Sequence, residues 1–275
     1  MRKDSKLYLF LSRWKHRLDY GFNVFKTIYV NFTFLPFKQA IRFPVLIYGK
    51  VKVYAHSGKI IIEDRIRPGM IHLGMNTDKF SASKGSALIN ITGKLIFKGP
   101  ALFSSDYTLH IVGECSIGEY SFMGNGVKIY CVKKIFMGRC CRITVECQVF
   151  DTNFHYMRNI KTGRVDRRDE SVVIGDYCWV GNRTTIAKGT RLPDFSLVSG
   201  YSLVNKNFTE SNVKYPFFAG IPAKIVSSGR VRIFDRSEEE KIDQFFDNNP
   251  GESFYMGDPG EINEDKGIIQ FFSWL

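Results

Sequence analysis

The sequence lacks several features that mark common classes of protein. It has no uninterrupted run of about 18 apolar residues, so we expect no membrane-spanning helix. It has no C-x-x-C and no cysteine–histidine spacing suited to a metal site, so a structural zinc is not predicted. No signal peptide, recognition helix or RNA-binding signature is evident, so export and nucleic-acid binding are not expected. The six cysteines are expected to be small buried apolar residues in a reducing cytoplasm.

Charge is uneven along the chain. Residues 1–50 hold ten basic and two acidic residues, a net charge of +8, among many aromatic residues. This basic extension is expected either to lie on an anionic membrane face or to pack as a helix against the domain C-terminal to it. Residues 231–275 carry a net charge of −7, and residues 227–275 are predicted to be a solvated acidic tail. Its apolar ending, 268–275, argues against complete disorder and favours docking on a neighbouring surface.

Aliphatic residues recur with a strict period of six in the second half of the chain. They are Ile174, Val180, Ile186, Leu192, Val198 and Val204. Small residues fill the fifth position of the first five hexapeptides: Cys178, Thr184, Thr190, Ser196 and Ser202. Neither a helix, with period 3.6, nor a simple strand, with period 2, explains this spacing. The period predicts an all-β parallel β-helix, in which residues 18 apart stack, such as Ile174 on Leu192.

The same period continues upstream with one shift of register. It passes through Ile111, Ile117, Met123, Ile129 and Ile135, and resumes at Met137, Ile143 and Val149. Gly113, Gly118, Gly124 and Gly138 are suited to tight corners that need a positive φ. We therefore expect a solenoid over residues 51–226, interrupted by a loop excursion over 150–172.

The end of this solenoid resembles the hexapeptide-repeat acyltransferases. The resemblance rests on Ile174-Gly175-Asp176-Tyr177-Cys178-Trp179-Val180-Gly181, on Val198-Ser199-Gly200-Tyr201-Ser202-Leu203-Val204-Asn205-Lys206, and on Gly220-Ile221-Pro222-Ala223-Lys224. It implies a left-handed parallel β-helix, a homotrimer, and acyl transfer from acetyl-CoA to a hydroxyl or amine. The chain looks closest to bacterial O-acetyltransferases of surface polysaccharides, which implies a sugar or glycan-precursor acceptor.

The excursion contains the candidate catalytic residue, His155. Acyl transfer to a hydroxyl needs a base, and an imidazole titrates near working pH. The resemblance agrees, because related enzymes place their histidine in a loop just before the Ile-Gly-x-x-x-Trp-x-Gly segment. Asp151, Asn153 or Glu146 is a candidate to orient the imidazole, and a backbone carbonyl is the remaining alternative. Asp151 and Asn153 could equally shape the turn by local hydrogen bonds.

The resemblance also implies that the acyl donor, acetyl-CoA, would lie in a groove between two subunits. In relatives, coenzyme A contacts the main chain at positions that correspond to Arg183, Gly200 and Tyr201 of this sequence. Relatives often have small residues where Arg183 and Tyr201 stand. Trp179 matches an aromatic residue that walls the acyl site. Lys206 and Lys224 stand where relatives place basic residues near the phosphates of coenzyme A.

Two alternative functions remain open from the sequence. One is N-acetyl transfer to an amino sugar, and the other is a non-catalytic β-helix scaffold. A serine acetyltransferase is disfavoured because its helical N-terminal domain is not evident.

Overall fold

The computed structural model describes residues 18–76, 85–257, 267–269 and 272. Within them, 22 strands form three sheets that run along a solenoid. Sheet 1 contains β1 (Val45–Ile47), β4 (Ile71–Leu73), β7 (Ala101–Phe103), β10 (Ser121–Met123), β13 (Arg142–Ile143), β16 (Trp179–Val180), β19 (Leu197–Val198), β21 (Pro216–Gly220) and β22 (Ala223–Ser228). Sheet 2 contains β2 (Val51–Ala55), β5 (Ala87–Ile91), β8 (Thr108–Ile111), β11 (Lys128–Cys131), β14 (Gln148–Phe150), β17 (Thr185–Ile186) and β20 (Leu203–Val204). Sheet 3 contains β3 (Lys59–Ile62), β6 (Lys94–Phe97), β9 (Glu114–Ile117), β12 (Lys134–Met137), β15 (Val172–Ile174) and β18 (Arg191–Leu192).

The fold is the predicted left-handed parallel β-helix. The chain passes from sheet 1 to sheet 2 at a first corner, from sheet 2 to sheet 3 at a second corner, and back to sheet 1 at a third corner. All the sheet pairings are parallel except the final β21–β22 pair, which is antiparallel. β1 precedes residue 51, so strands stack from Val45 onward.

The aliphatic repeat forms the core, as the sequence predicts. Ile174 pairs with Leu192, Val180 with Val198, and Ile186 with Val204. All six aliphatic residues of the repeat are at most 1% exposed. The small residues of the fifth position are also buried, because they point inward at the narrow corners. All six cysteines are unpaired and buried, as expected.

The upstream coils differ in length, which explains the shift of register. Ile111 pairs with Cys131, and Leu109 pairs with Ile129, so residues 20 apart stack there rather than 18. The extra residues lie beside the second corner, where four-residue strands are joined by a bend at Val112 and Gly113.

The expected reason for the corner glycines is wrong. Gly113, Gly118, Gly124 and Gly138 are not among the glycines with positive φ. They are small because consecutive coils approach closely: a Cβ on Gly113 would lie 2.3 Å from the Lys133 carbonyl oxygen. The left-handed corner positions are held instead by residues with side chains, including Glu146, Arg183 and Tyr201.

Two short helices cap the first coil. They are α1 (Val24–Phe34) and α2 (Phe37–Ala40), and α1 packs on β1 through Thr27, Val30, Asn31 and Phe34. Packing on the first coil was one of the two interpretations of the basic extension. None of the helices in the described residues is long and apolar enough to span a bilayer.

The acidic tail is partly docked rather than wholly solvated. Its helix α3 (Arg236–Asn248) buries no residue, in line with a solvated segment. Further on, Ile268 is 1% exposed, and the ring of Phe272 packs on Tyr120 at 5.5 Å and on the Arg142 guanidinium at 5.8 Å. The tail therefore returns to the outer face of sheet 1. Burial lowers the pKa of Arg142 to about 10.

Candidate active site

The excursion is an ordered hairpin that leaves the solenoid at the second corner, between β14 and β15. Coils on either side of it are 37 residues apart, as Val149 and Ile186 show, against 18 further on. Thr152 faces Asp169 and Arg158 faces Val165 in isolated antiparallel bridges that join the two arms. The tip is a turn in which the side chain of Asn159 accepts hydrogen bonds from two backbone N–H groups. Residues 153–167 are all exposed.

His155 lies on the first arm of this hairpin, with its side chain in solvent. Its backbone N–H donates to the Asn153 carbonyl at 2.7 Å, closing a tight turn around Phe154. Phe154 has a φ of 59°, a strained value for a residue with a side chain. Two contacts hold it there: its N–H donates to Thr152 Oγ1 at 2.9 Å, and its ring packs edge-on against Tyr130 at 5.6 Å. The imidazole is thus presented outward from an anchored turn.

The structure does not bring Asp151 to the imidazole. The Asp151 side chain is fully buried, and its carboxylate accepts from the backbone N–H groups of Val132, Lys133 and Lys134 at 2.6–2.8 Å. These three N–H groups belong to the same corner of the preceding coil, so Asp151 ties the base of the hairpin to the solenoid.

Neither Asn153 nor Glu146 hydrogen-bonds to the ring within the part of the chain that the structure describes. Asn153 contributes its backbone, since its N–H donates to the Arg168 carbonyl at 3.0 Å and its carbonyl accepts from His155. Glu146 is ion-paired with Arg183 at the first corner. Among the described residues, the imidazole of His155 has no hydrogen-bond partner.

A polar chain that the sequence analysis missed connects the two arms. The Thr152 hydroxyl donates to Asp169, Asp169 pairs with Arg168 at 2.8 Å, and the Arg168 guanidinium lies 5.4 Å from the ring centre of Tyr156. The hydrogen bond from Arg168 lowers the pKa of Asp169, against the opposing effect of burial. These residues flank His155 on both arms. The pairing of Thr152 with Asp169 carries no periodic signal, because both lie outside the repeat.

The first corner carries a column of side chains from successive coils. Arg183 Nε donates to Glu146 at 2.6 Å, and Arg183 Nη1 donates to the Tyr201 hydroxyl. The guanidinium also lies over the Tyr201 ring, 5.5 Å from its centre. The hydrogen bond that Arg183 donates to Glu146 raises the pKa of Arg183. The predicted pair Arg183 and Tyr201 is therefore in contact, and Glu146 extends the column by one coil.

The remaining residues that were predicted to bind acetyl-CoA lie in three separate places. Gly200 lies at the first corner, where an added Cβ would be 3.1 Å from the Asn182 carbonyl oxygen. Trp179 is half-buried in β16, between Arg142 and Leu197 of the neighbouring strands. Lys206 is exposed at the second corner, and Lys224 is exposed on the β21–β22 hairpin.

Within one chain, His155 and the first-corner column are kept apart by sheet 2. The hairpin leaves after β14, whereas Arg183 and Gly200 precede β17 and β20. One side of a coil is about six residues, or roughly 15–20 Å at the rise of a β-strand. Within a single chain, the two corners therefore lie on opposite sides of sheet 2.

Known proteins share parts of this sequence and this fold. No protein-family model matches the sequence. A polysialic acid O-acetyltransferase of Neisseria meningitidis is 30% identical over 83 residues, which are 30% of this chain and 39% of that protein. The match thus spans about two fifths of that relative.

A solved structure agrees on the fold. The polySia-specific acetyltransferase NeuO superposes with a TM-score of 0.52 at 17% identity, over 82% of this chain and 81% of that chain. The polysialic acid O-acetyltransferase OatWY gives a TM-score of 0.38 at 19% identity, over 72% of this chain and all of that one. With the repeat, the parallel sheets and the matched stretch together, the resemblance to the hexapeptide-repeat acyltransferases of the left-handed β-helix fold is confirmed.

Proposed function

We propose that this protein is an acetyl-CoA-dependent O-acetyltransferase that acts on a sugar hydroxyl of a surface polysaccharide or its precursor. The observation that supports this most is the anchored hairpin, which presents one exposed histidine from a rigid solenoid. The relative from Neisseria meningitidis supports the acceptor class, because its name specifies polysialic acid and transfer to oxygen.

His155 is proposed as the general base. Its imidazole takes the proton from the acceptor hydroxyl as that oxygen attacks the thioester carbonyl. The proton then passes to the leaving sulfur, so that the products are the sugar ester and free coenzyme A. Asp151 serves this step through its carboxylate, which fixes the base of the hairpin, and Asn153 serves it through its backbone, which fixes the turn before His155.

The donor is proposed to lie along the first corner. Gly200 leaves the main chain open there, while Arg183 and Tyr201 form a wall in place of the smaller residues of relatives. Because Glu146 already neutralises Arg183, we assign the phosphates of coenzyme A to Lys206 and Lys224, whose side chains are exposed. Trp179 is proposed to line the part of the site that holds the acyl group.

A homotrimer completes the proposal. Side-by-side copies related by three-fold rotation would place the second corner of one chain against the first corner of the next. Each site would then take its base from one chain and its donor groove from two. A molecular mass of one chain at working concentration in light scattering would contradict this.

The proposed location is the cytoplasm, with contact to the inner membrane face where lipid-linked glycan precursors are found. Six buried, unpaired cysteines support a reducing compartment.

The direct test is thiol release from acetyl-CoA with a panel of neutral, amino and anionic sugars. We expect release only with an acceptor that offers a free hydroxyl. The product should lose its acetyl group in hydroxylamine, which cleaves esters and leaves amides intact. A hydroxylamine-resistant product would favour the N-acetyl alternative. No release with any sugar, by protein that binds coenzyme A no better than a control protein, would favour the non-catalytic scaffold.

A further inference from the structure

The cap helix α1 turns polar residues toward the solenoid. Asn31 is fully buried, donates to the Val45 carbonyl at 2.7 Å and accepts from the Val45 N–H at 3.2 Å. Thr27 is 3% exposed and accepts from the Ile47 N–H at 3.0 Å. These side chains satisfy backbone groups on the open edge of β1, which no further strand of the described residues covers.

The opposite face of the cap is apolar and open to solvent. Phe25 is 86% exposed and Phe37 is 70% exposed. Around them lie further large apolar residues that are 41–50% exposed: Ile28, Tyr29, Phe32 and Ile41. Phe32 joins them into one patch, since its ring contacts Phe37 at 6.0 Å. The inner face of α1 already buries Val30 and Phe34, so this outer patch is a second apolar face. A contiguous patch of exposed large apolar residues marks a surface for a partner.

The charge around this patch is positive. Lys26, Lys38 and Arg42 border it, and Lys26 lies 5.6 Å from the ring centre of Tyr29. Neither α1 nor α2 contains an acidic residue. Aromatic rings with lysines beside them match the interface of an anionic bilayer, where rings enter the headgroup layer and ammonium groups meet lipid phosphates.

We propose that this outer face of α1 and α2, the cap face, is a docking surface for an anionic lipid bilayer. A second copy of the chain fits it poorly, because two cap faces would bring Lys26, Lys38 and Arg42 of each copy together without acidic partners. The sequence before the cap favours the same partner, since residues 1–17 add six basic residues and one acidic residue. The N-terminal end of the solenoid would then face the membrane, and the solenoid axis would point away from it.

The test is co-sedimentation of the full chain with vesicles. The probes are phosphatidylcholine alone, and phosphatidylcholine with phosphatidylglycerol in equal parts. We expect binding to the anionic vesicles only, weakened by salt, because charges are screened within about 8–10 Å at physiological ionic strength. The double change Phe25→Ser and Phe37→Ser should lower the bound-to-free ratio by roughly tenfold or more. Lys26→Gln with Lys38→Gln should weaken binding and flatten its salt dependence.

The matched control is Phe254→Ser with Met256→Ser, which removes two residues of the acidic tail that are 61% and 80% exposed. It should bind like the parent. Thermal midpoints report that the variants fold, and binding needs no acetyl donor, so failure of the transfer chemistry would leave this result intact. Three outcomes would overturn the proposal: no binding by the parent, equal binding by the Phe25/Phe37 variant, or a halved molecular mass of that variant in light scattering, which would make the cap face an interface between copies.

Discussion

The hairpin and the coils that it interrupts differ in side-chain exposure and in whether their contacts repeat along the chain. From 153 to 167 every residue of the hairpin is exposed, whereas the inward residues of the adjacent coils, such as Val149 and Ile186, are fully buried. The coils repeat their contacts every 18 or 20 residues, and the hairpin makes its contacts once. The difference separates two tasks: the coils supply stability, and the hairpin supplies a side chain whose position depends on a few anchors. Substitutions in the two regions should therefore affect different measurements.

The largest effect is expected for His155→Ala. Loss of the base should lower kcat by roughly 10²–10⁴-fold, with little change in the thermal midpoint because the side chain lies in solvent. His56→Ala is the matched control, since His56 is also exposed but lies in the first coils. Steady-state thiol release with the best acceptor measures both. Near-parental turnover of His155→Ala would show that His155 is not the general base.

The converse is expected in the coils. Ile186→Ala leaves a cavity in the stack and should lower the free energy of unfolding by about 2–5 kcal/mol. Ile160→Ala, a change of the same size at a hairpin residue that is 95% exposed, should leave it nearly unchanged. Denaturant unfolding compares the two variants. Similar losses for both would mean that the hairpin contributes to the core after all.

Asp151→Asn should affect both measurements, because Asp151 joins the two regions. An amide can replace only one carboxylate oxygen as acceptor, and its NH₂ group would face backbone donors. We expect a loss of about 1–3 kcal/mol of stability and a lower kcat from a displaced hairpin. Asp166→Asn, at an exposed hairpin residue paired with Arg164, is the control. If only kcat fell, Asp151 would act on the imidazole rather than on the fold.

The smallest effect concerns Asp169. Its pKa lies below the ordinary value of 3.8 because of Arg168, so its contribution is complete above that value and is lost as the pH falls through the lowered pKa. The pair is partly exposed, so Asp169→Asn should cost at most about 1 kcal/mol. Thermal midpoints of parent and variant should differ at pH 6 and converge as the pH falls below 3.8. A difference that persisted at the lowest pH would indicate that the effect is not ionic.

The regular part of the molecule could be predicted from the sequence, and the irregular part could not. The residues from Ile174 to Val204 predict their own stacking, because each coil repeats one chemical requirement. The 20-residue coils interrupt this period, because two extra residues at the bend of Val132 and Lys133 make the step from Ile129 to Met137 eight residues long. Gly138 shows a second limit, because a side chain there would collide with Asp176 of the next coil, 38 residues further along the chain. Only the register of β12 and β15, which pairs residues 37 apart, brings the two together.

The site follows the same division. Placing His155 in an excursion could be predicted, because a loop shows as a gap in the repeat. Its anchors could not, since Tyr130 and Asp169 are brought to the hairpin by stacking and by the pairing of the arms. The inward position of Asn31 in α1 could not be predicted from the sequence either, because its hydrogen-bond partner is the backbone of Val45 at the edge of β1.

The central claim is that a hairpin at the second corner of one chain works on a donor held at the first corner of another. Co-expression of His155→Ala with Gly200→Trp tests it most directly. A side chain at residue 200 would project over the Asn182 carbonyl and block the first corner, while the Cβ contact of 3.1 Å requires only a small shift. If the site is shared between chains, mixed assemblies should regain about a quarter of the parental thiol release, because random mixing places an intact hairpin beside an intact first corner in about one of four interfaces. Activity no higher than that of the two variants assayed separately would contradict the account.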